Sequence, residues 1–253
     1  MKSAKTLLKH LSKLEIIVYT IVIFMIWEVF SRLFMSPLIL PPPSMIIVNM
    51  FAPELHPHIL ATLWETIVGF IVGSISGILL GTIIAYSSSL ERSVYPVIFS
   101  IRSIPESAIA PITVLYLGIG LTTKVFIVLW IVFFPMFVNT FNGLKTLNPN
   151  LLDLAKSYHA TKWQIFKKVR MPNSLPYIMS GLKITAPLSV NGAVIGELFT
   201  GGVGLTPMFL KAATEIKIPF MFAVIFWIAT IAIVFYVIAL MLERIFLRHQ
   251  RRR

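Results

Sequence analysis

The apolar residues of this chain are gathered into six long stretches, at 15–35, 59–87, 94–119, 124–144, 177–200 and 220–244. Each is long enough, at about 1.5 Å of helical rise per residue, to cross roughly 30 Å of hydrocarbon. Lipid offers no water to backbone amides, so runs of this kind must close their own hydrogen bonds as helices. Only 13% of the residues are charged and 57% are hydrophobic, whereas a soluble domain carries roughly 25% charged residues. The mean hydropathy of +0.86 points the same way. These features predict an all-α, polytopic transmembrane domain of about six spans. Residues 1–14 read as a cytoplasmic tail and 15–253 as one transmembrane domain. The run from Ile16 to Phe34 follows Lys2, Lys5, Lys9 and Lys13, as a signal h-region would. It is too long for one and has no small-residue cleavage site after it, so it reads as a retained first span.

The net charge is +12. Such a balance in a soluble protein suggests nucleic-acid binding, but here the basic residues lie between apolar runs. Lys2, Lys5, Lys9, Lys13, Arg92, Lys145, Lys156, Lys162, Lys167, Lys168, Arg170, Lys183, Arg244, Arg248, Arg251, Arg252 and Arg253 fall on one side of the predicted membrane. Arg32, Lys124, Lys211 and Lys217 fall on or near the other, and Arg102 lies within a stretch. The positive-inside bias then places both termini and the 145–176 segment in the cytoplasm and requires an even number of spans. There is no cysteine, so no disulfide framework and no thiolate metal site is available.

Within the second stretch, Gly69, Gly73, Gly77, Gly81 and Ala85 recur every fourth residue and form a stripe that lets another helix approach closely. In the first loop, Pro41-Pro42-Pro43 cannot continue a helix, and Ser44 is placed to cap a short surface helix after them. Arg102 and Glu106 stand four apart in the third stretch, on one helix face where they could pair. Pro105 and Pro111 interrupt that stretch, and broken backbone at membrane depth belongs against protein or along a cavity. Arg102, Glu106, Asn191 and Glu197 are therefore the candidates for a translocation pathway or gate. Lys183 reads as snorkelling to the cytoplasmic face, and Glu65 as partly solvated near the outer end of its span.

The 145–176 segment carries the strongest local pattern. Asn148-Pro149 starts a helix, with Leu151, Leu152, Ala155 and Tyr158 on one face. Thr161-Lys162-Trp163-Gln164 is a capping box for a second helix, which mixes Trp163, Ile165, Phe166 and Val169 with Lys167, Lys168 and Arg170. Met171-Pro172 is expected to stop it, and Leu175-Pro176 to start the fifth span. Physics alone allows this helix–turn–helix to lie on lipid headgroups or to dock into a partner's groove.

The run from Asp153 through Pro172 resembles the Glu-Ala-Ala loop of binding-protein-dependent ABC importer permeases. Ile104-Pro105 with Ala108, Pro111 and Gly118-Ile119-Gly120 resembles the family's preceding span. Phe133-Phe134-Pro135 with Asn139-Thr140 and Gly143-Leu144, and Leu175-Pro176-Tyr177-Ile178 with Ser180-Gly181-Leu182-Lys183, are similar to its later segments. The closest branch serves nitrate, bicarbonate, taurine, aliphatic sulfonates and thiamine-precursor pyrimidines. Asp153 replaces the usual Glu, Leu154 the first Ala, and His159 the usual Gly, whose turn favours positive φ. The resemblance implies a type I permease fold and a dimer of two such chains. It implies two cytoplasmic ATPase subunits that carry ATP and magnesium, and an extracytoplasmic solute-binding protein. It makes Asp153, Ala155, Tyr158, His159, Ala160, Trp163 and Phe166 the ATPase-coupling residues, in a multi-pass protein of a prokaryotic inner membrane.

The chain has no phosphate-cradling Gly-x-x-x-x-Gly-Lys-Ser/Thr loop of its own. No catalytic residue, metal site or cofactor is expected in it. His10, His56, His58, His159 and His249 stand in tails, loops or surface helices and do not form the His-Glu-x-x-His pattern of a zinc protease. A self-contained ion-driven carrier or channel is the alternative on composition, but no inverted repeat is visible.

Overall fold

The computed structural model describes residues 2–147 and 149–248. Asn148, the expected helix cap, and His249 with the basic residues Arg251, Arg252 and Arg253, lie outside the described residues. The described chain is helical throughout: α1 Lys2–Phe34, α2 Pro43–Met50, α3 Leu55–Tyr86, α4 Ser88–Ser93, α5 Tyr95–Ile101, α6 Glu106–Leu117, α7 Leu121–Lys145, α8 Pro149–Ser157, α9 Lys162–Ile165, a π-helical turn Phe166–Arg170, α10 Met171–Thr200, α11 Leu205–Thr214 and α12 Ile218–Phe246. Among the described residues, four helical stretches are long and apolar enough to cross a membrane. They are Leu55–Tyr86, Leu121–Lys145, Lys162–Thr200 and Ile218–Phe246. The pair α5 and α6 makes a fifth if counted as one broken span, and α1 carries the first apolar stretch.

Contacts divide the chain into two units. One comprises 1–56 and 208–227, the other 57–207 and 228–253. In the first, α1 runs unbroken from Lys2 to Phe34, with no boundary at residue 14. Trp27 stacks on Phe226 at 6.2 Å between ring centroids. Trp227 Nε1 donates to the carbonyl of Met50 at 2.9 Å, which uses the polar end of an otherwise apolar ring. Ser44 does not cap α2. Pro43 takes the first helical position, where its missing N–H costs nothing. Ser44 instead turns to Glu28, donating its N–H to Oε2 at 3.0 Å and its hydroxyl to Oε1 at 2.8 Å.

The second unit is built around α7. On α3 the glycine stripe faces α7 so closely that a Cβ at Gly73 would lie 2.9 Å from the Leu129 carbonyl oxygen, and one at Gly77 would lie 2.8 Å from that of Phe133. The opposite face of α3 presents Ile67, Ile71, Ile75, Leu79 and Ile83, all exposed. The helix is thus sided by residue size rather than polarity, as lipid demands, because tails are as apolar as the packing face. The helix α10 approaches α7 equally closely: a Cβ at Gly192 would lie 2.8 Å from the Val128 Cα. Chain direction puts the start of α3, the start of α7 and the end of α10 together at one end of this unit. The ends of α3 and α7 meet the start of α10 at the other.

Of the breaks expected at prolines, one is found and one is not. The third stretch is interrupted at Pro105, where α5 and α6 meet at 94° and Pro105 is the N-cap of α6. Proline biases the residue before it away from the helical region, and the chain turns there. Conversely, Met171-Pro172 stops nothing, and Lys162–Thr200 runs as one helical stretch of 39 residues. The π turn supplies the reason. The Met171 N–H donates to the Phe166 carbonyl five residues back, and this wider turn displaces the carbonyls that the Pro172 ring would otherwise meet.

Candidate functional site

The 149–170 segment is shaped by its caps. At the start of α9, Thr161 N–H donates to Gln164 Oε1 at 2.8 Å and Gln164 N–H donates to Thr161 Oγ1 at 3.3 Å, so the expected capping box is present. At the end of α8, Ala160 N–H reaches back to the Ala155 carbonyl at 3.0 Å. His159 between them has φ +52°. This is the left-handed helix ending that glycine usually provides, here adopted by a histidine. Asp153 is exposed, and its carbonyl accepts the Ser157 hydroxyl at 2.9 Å. Ala155 and Ala160 are half-buried.

The aromatic residues of the segment divide. Tyr158 is 79% exposed and Trp163 is 63% exposed, with Leu151 and Leu154 exposed beside them. Phe166 instead faces inward. It lies edge-on to Tyr86 at 5.9 Å and packs on the cluster of Ile84, Ala85, Phe137, Phe141 and Leu144. Trp163 stacks on Phe166 at 5.5 Å, and so joins an outward surface to the core of the unit. Asn173 Nδ2 donates to the Thr146 carbonyl at 2.7 Å, closing the base of the segment.

The intramembrane candidates separate into two places. Arg102 and Glu106 lie on either side of the α5–α6 turn and form no ion pair with each other, which corrects the one-face reading. They line a cavity of about 120 Å³ with Ile104, Trp130, Phe134, Pro135 and Leu188. Asn191 is exposed three residues beyond Leu188 on α10. Glu197 is elsewhere, fully buried at the end of α10. Its Oε1 accepts the Thr62 hydroxyl and its Oε2 accepts the Thr206 N–H at 2.7 Å. Gly204, at φ +154°, packs so tightly on this carboxylate that no side chain fits there.

Glu65 belongs to the same end and is not partly solvated. It is 3% exposed and accepts from Lys124 Nζ at 2.8 Å. The second bond of Lys124 goes to the Val203 carbonyl at 2.7 Å. Leu205 N–H donates to Thr62 Oγ1 at 3.0 Å, and His58 Nδ1 touches both the nitrogen and the carbonyl oxygen of Gly204. These contacts clasp the 201–204 loop to α3, α7 and α10. Lys124, Thr62 and His58 were not among the residues singled out by sequence. The available sign was the polar row His58, Thr62, Glu65 and Thr66 on one side of an otherwise apolar helix. Lys183 is also not simply snorkelling, since its Nζ pairs with Glu243 Oε1 of α12 at 2.7 Å. Among the described residues no cluster of His, Asp and Glu is arranged to hold a metal.

Comparison with known proteins shows the family. Residues 77–252 match the family described as "Binding-protein-dependent transport system inner membrane component". The chain is 33% identical over 237 residues to the formylaminopyrimidine transport permease protein ThiX of Halalkalibacterium halodurans, covering 92% of this chain and 95% of that one. It is 31% identical to the riboflavin transport system permease protein RibX of Chloroflexus aurantiacus, over 83% of this chain and 80% of that one. It is 28% identical to the putative aliphatic sulfonates transport permease protein SsuC of Bacillus subtilis, over 76% and 71%. Among solved structures, the inward-facing MetNI methionine ABC transporter matches with TM-score 0.64 at 20% identity, over 75% of this chain and 94% of that chain. A bacterial ABC transporter importing alginate matches with TM-score 0.63 at 15% identity, over 96% and 99%; both likenesses concern the fold. This chain therefore belongs to the binding-protein-dependent inner membrane components and is the transmembrane permease subunit of an ABC importer.

Proposed function

We propose that two copies of this chain form the pathway and that each presents residues 149–170 to a cytoplasmic ATPase subunit, on which ATP and magnesium are bound and hydrolysed. A separate solute-binding protein delivers the cargo from outside. In this reading both termini are cytoplasmic. The observation that carries it is mechanical: one helical stretch of 39 residues joins the exposed Trp163 turn to Thr200 at the far end of the unit. Closure of an ATPase dimer against Tyr158 and Trp163 moves α10 as a stiff rod, and the exposed aromatic surface supplies the anchor such an interface needs. ATP then favours one of two permease states by binding that state more tightly.

The cavity at Arg102 and Glu106 lies on the route. Trp130 and Phe134 offer ring faces and edges, while Arg102 and Glu106 offer a donor and an acceptor, a lining suited to a small planar polar solute. Two relatives at 30% identity or more are named for formylaminopyrimidine and riboflavin, both nitrogen heterocycles. A thiamine-precursor-like pyrimidine therefore fits better than a nitrate-, sulfonate- or taurine-like anion. The test is uptake in proteoliposomes holding the whole complex. Trp163→Ala with Tyr158→Ala should cut uptake and solute-stimulated ATP hydrolysis by about tenfold or more at unchanged protein yield, the loss of one interface anchor pair being about 1.4 kcal/mol or more. Wild-type rates in that variant would refute the coupling role, and uptake of taurine in preference to formylaminopyrimidine would refute the substrate class.

A further inference from the structure

Glu65, Glu197 and Lys124 form a buried cluster whose charges do not cancel. Their residue exposures are 3%, 0% and 5%, and two carboxylates against one ammonium leave a net negative charge away from water. Every oxygen of the pair has a donor except one. Glu65 Oε1 accepts from Lys124, Glu197 Oε1 from Thr62 and Glu197 Oε2 from Thr206. Glu65 Oε2 is buried with no hydrogen-bond partner. Thr62, one turn before Glu65 on α3, bonds Glu197, and Gly196 of α10 packs against Lys124, the partner of Glu65, so the two carboxyl groups share one buried site. A buried carboxylate oxygen without a donor costs several kcal/mol, and two carboxylates in contact cannot both stay ionised without a counter-charge.

We infer that Glu65 and Glu197 bind one proton between them, and that Glu65 Oε2 is the oxygen this proton satisfies. This single proton supplies the missing donor and brings the cluster to neutrality. The groups facing Glu65 are Lys124 from α7 and Glu197 from α10, with His58 two turns back on α3. All of them contact the 201–204 loop or the residues that follow it: Lys124 holds Val203, His58 holds Gly204 and Glu197 holds Thr206. The proton is thus a structural ligand of the loop. When it leaves, two carboxylates repel behind Val203 and Gly204, and the clasp loosens.

The folded chain on this account carries a proton that a solvated glutamate releases at neutral pH. Stability therefore falls as pH rises. The test uses the full chain in lipid nanodiscs. Infrared difference spectra of the wild type should show the carbonyl stretch of a protonated carboxyl group at neutral pH, lost in alkali and absent in Glu65→Gln. The thermal midpoint of the wild type should fall by about 3 °C per pH unit from the pH at which a solvated glutamate ionises up to the pH at which the band is lost, and level off above it. Glu65→Gln should be flat there, because its amide donates to Glu197 permanently and leaves one carboxylate for one ammonium. The wild-type spectrum stands alone if that variant fails to fold. The inference is overturned if the wild type shows no such band. It is equally overturned if the pH dependence disappears in His58→Gln rather than in Glu65→Gln, which would make an imidazolium the counter-charge. A midpoint that follows sodium or potassium concentration, with no carboxyl band, would replace the proton by a metal cation and overturn it as well.

Discussion

Two residues hold backbone conformations their side chains disfavour, and both close a helix. His159 ends α8 at φ +52°, and Ile216 follows α11 at φ +55°. At Ile216 both back-bonds of the motif are made, Ile216 N–H to Ala213 at 3.2 Å and Lys217 N–H to Ala212 at 2.9 Å. The Lys217 ammonium is hydrogen-bonded to Glu215 across this turn and holds that carboxyl below its usual range. A β-branched residue in this region is a genuine outlier, and the left-handed region costs an L-residue about 1–2 kcal/mol that glycine does not bear. Ile216→Gly and His159→Gly are expected to raise thermal stability by about 1 kcal/mol each, read as a higher unfolding midpoint in detergent. A lowered midpoint in both would show that these side chains make contacts that outweigh the backbone strain. Residue-level legibility was uneven. The left-handed turn at His159 could be anticipated because the family's glycine marks it. Nothing local announced that Lys124 and Glu65, 59 positions apart, would meet.

At the scale of elements, close approach of α3 to α7 is the feature that everything else leans on. It was readable as a stripe of small residues, since helices in lipid associate through packing rather than through a hydrophobic drive. Gly77→Leu tests it: a Cβ there would stand 2.7 Å from Met136 Cβ and 2.9 Å from the Phe137 nitrogen, and backbone cannot move aside cheaply. A loss of about 3 kcal/mol is expected, read as a lower unfolding midpoint, whereas Ile75→Leu on the exposed face should be neutral. If both variants behave alike, α3 and α7 are not packed as described. Helix ends were less legible than helix faces. Proline was the cue at both Pro105 and Pro172, yet one site turns the chain by 94° and the other lies inside a continuous helix. The difference is that a π turn precedes Pro172 and absorbs its ring, while the chain before Pro105 has no such turn.

For the whole molecule, the division of labour follows from where polar groups could be afforded. Three lysines of the apolar unit are each matched to a carboxylate, Lys124 to Glu65, Lys183 to Glu243 and Lys145 to Glu91, while Glu197 has no cation of its own. Arg102 and Glu106 are the unmatched pair at a chain break, which suits a route that must exchange partners with a solute. The apolar residues of the 149–170 segment are left outward, which suits a partner. The sequence pattern carried the fold class, the capping box at Thr161 and Gln164, and the family. It did not carry the separation of Glu197 from Arg102, because that depends on which helix ends meet.

The absence of cysteine from this chain allows one thiol to be placed at Tyr158, so that a purified Tyr158→Cys permease can be labelled there with a photocrosslinker before assembly into the complete ATP-driven complex. The account predicts a crosslinked product containing the ATPase subunit, with a yield that changes when ATP is added. Crosslinks only to lipid or to the permease itself, unchanged by ATP, would contradict it.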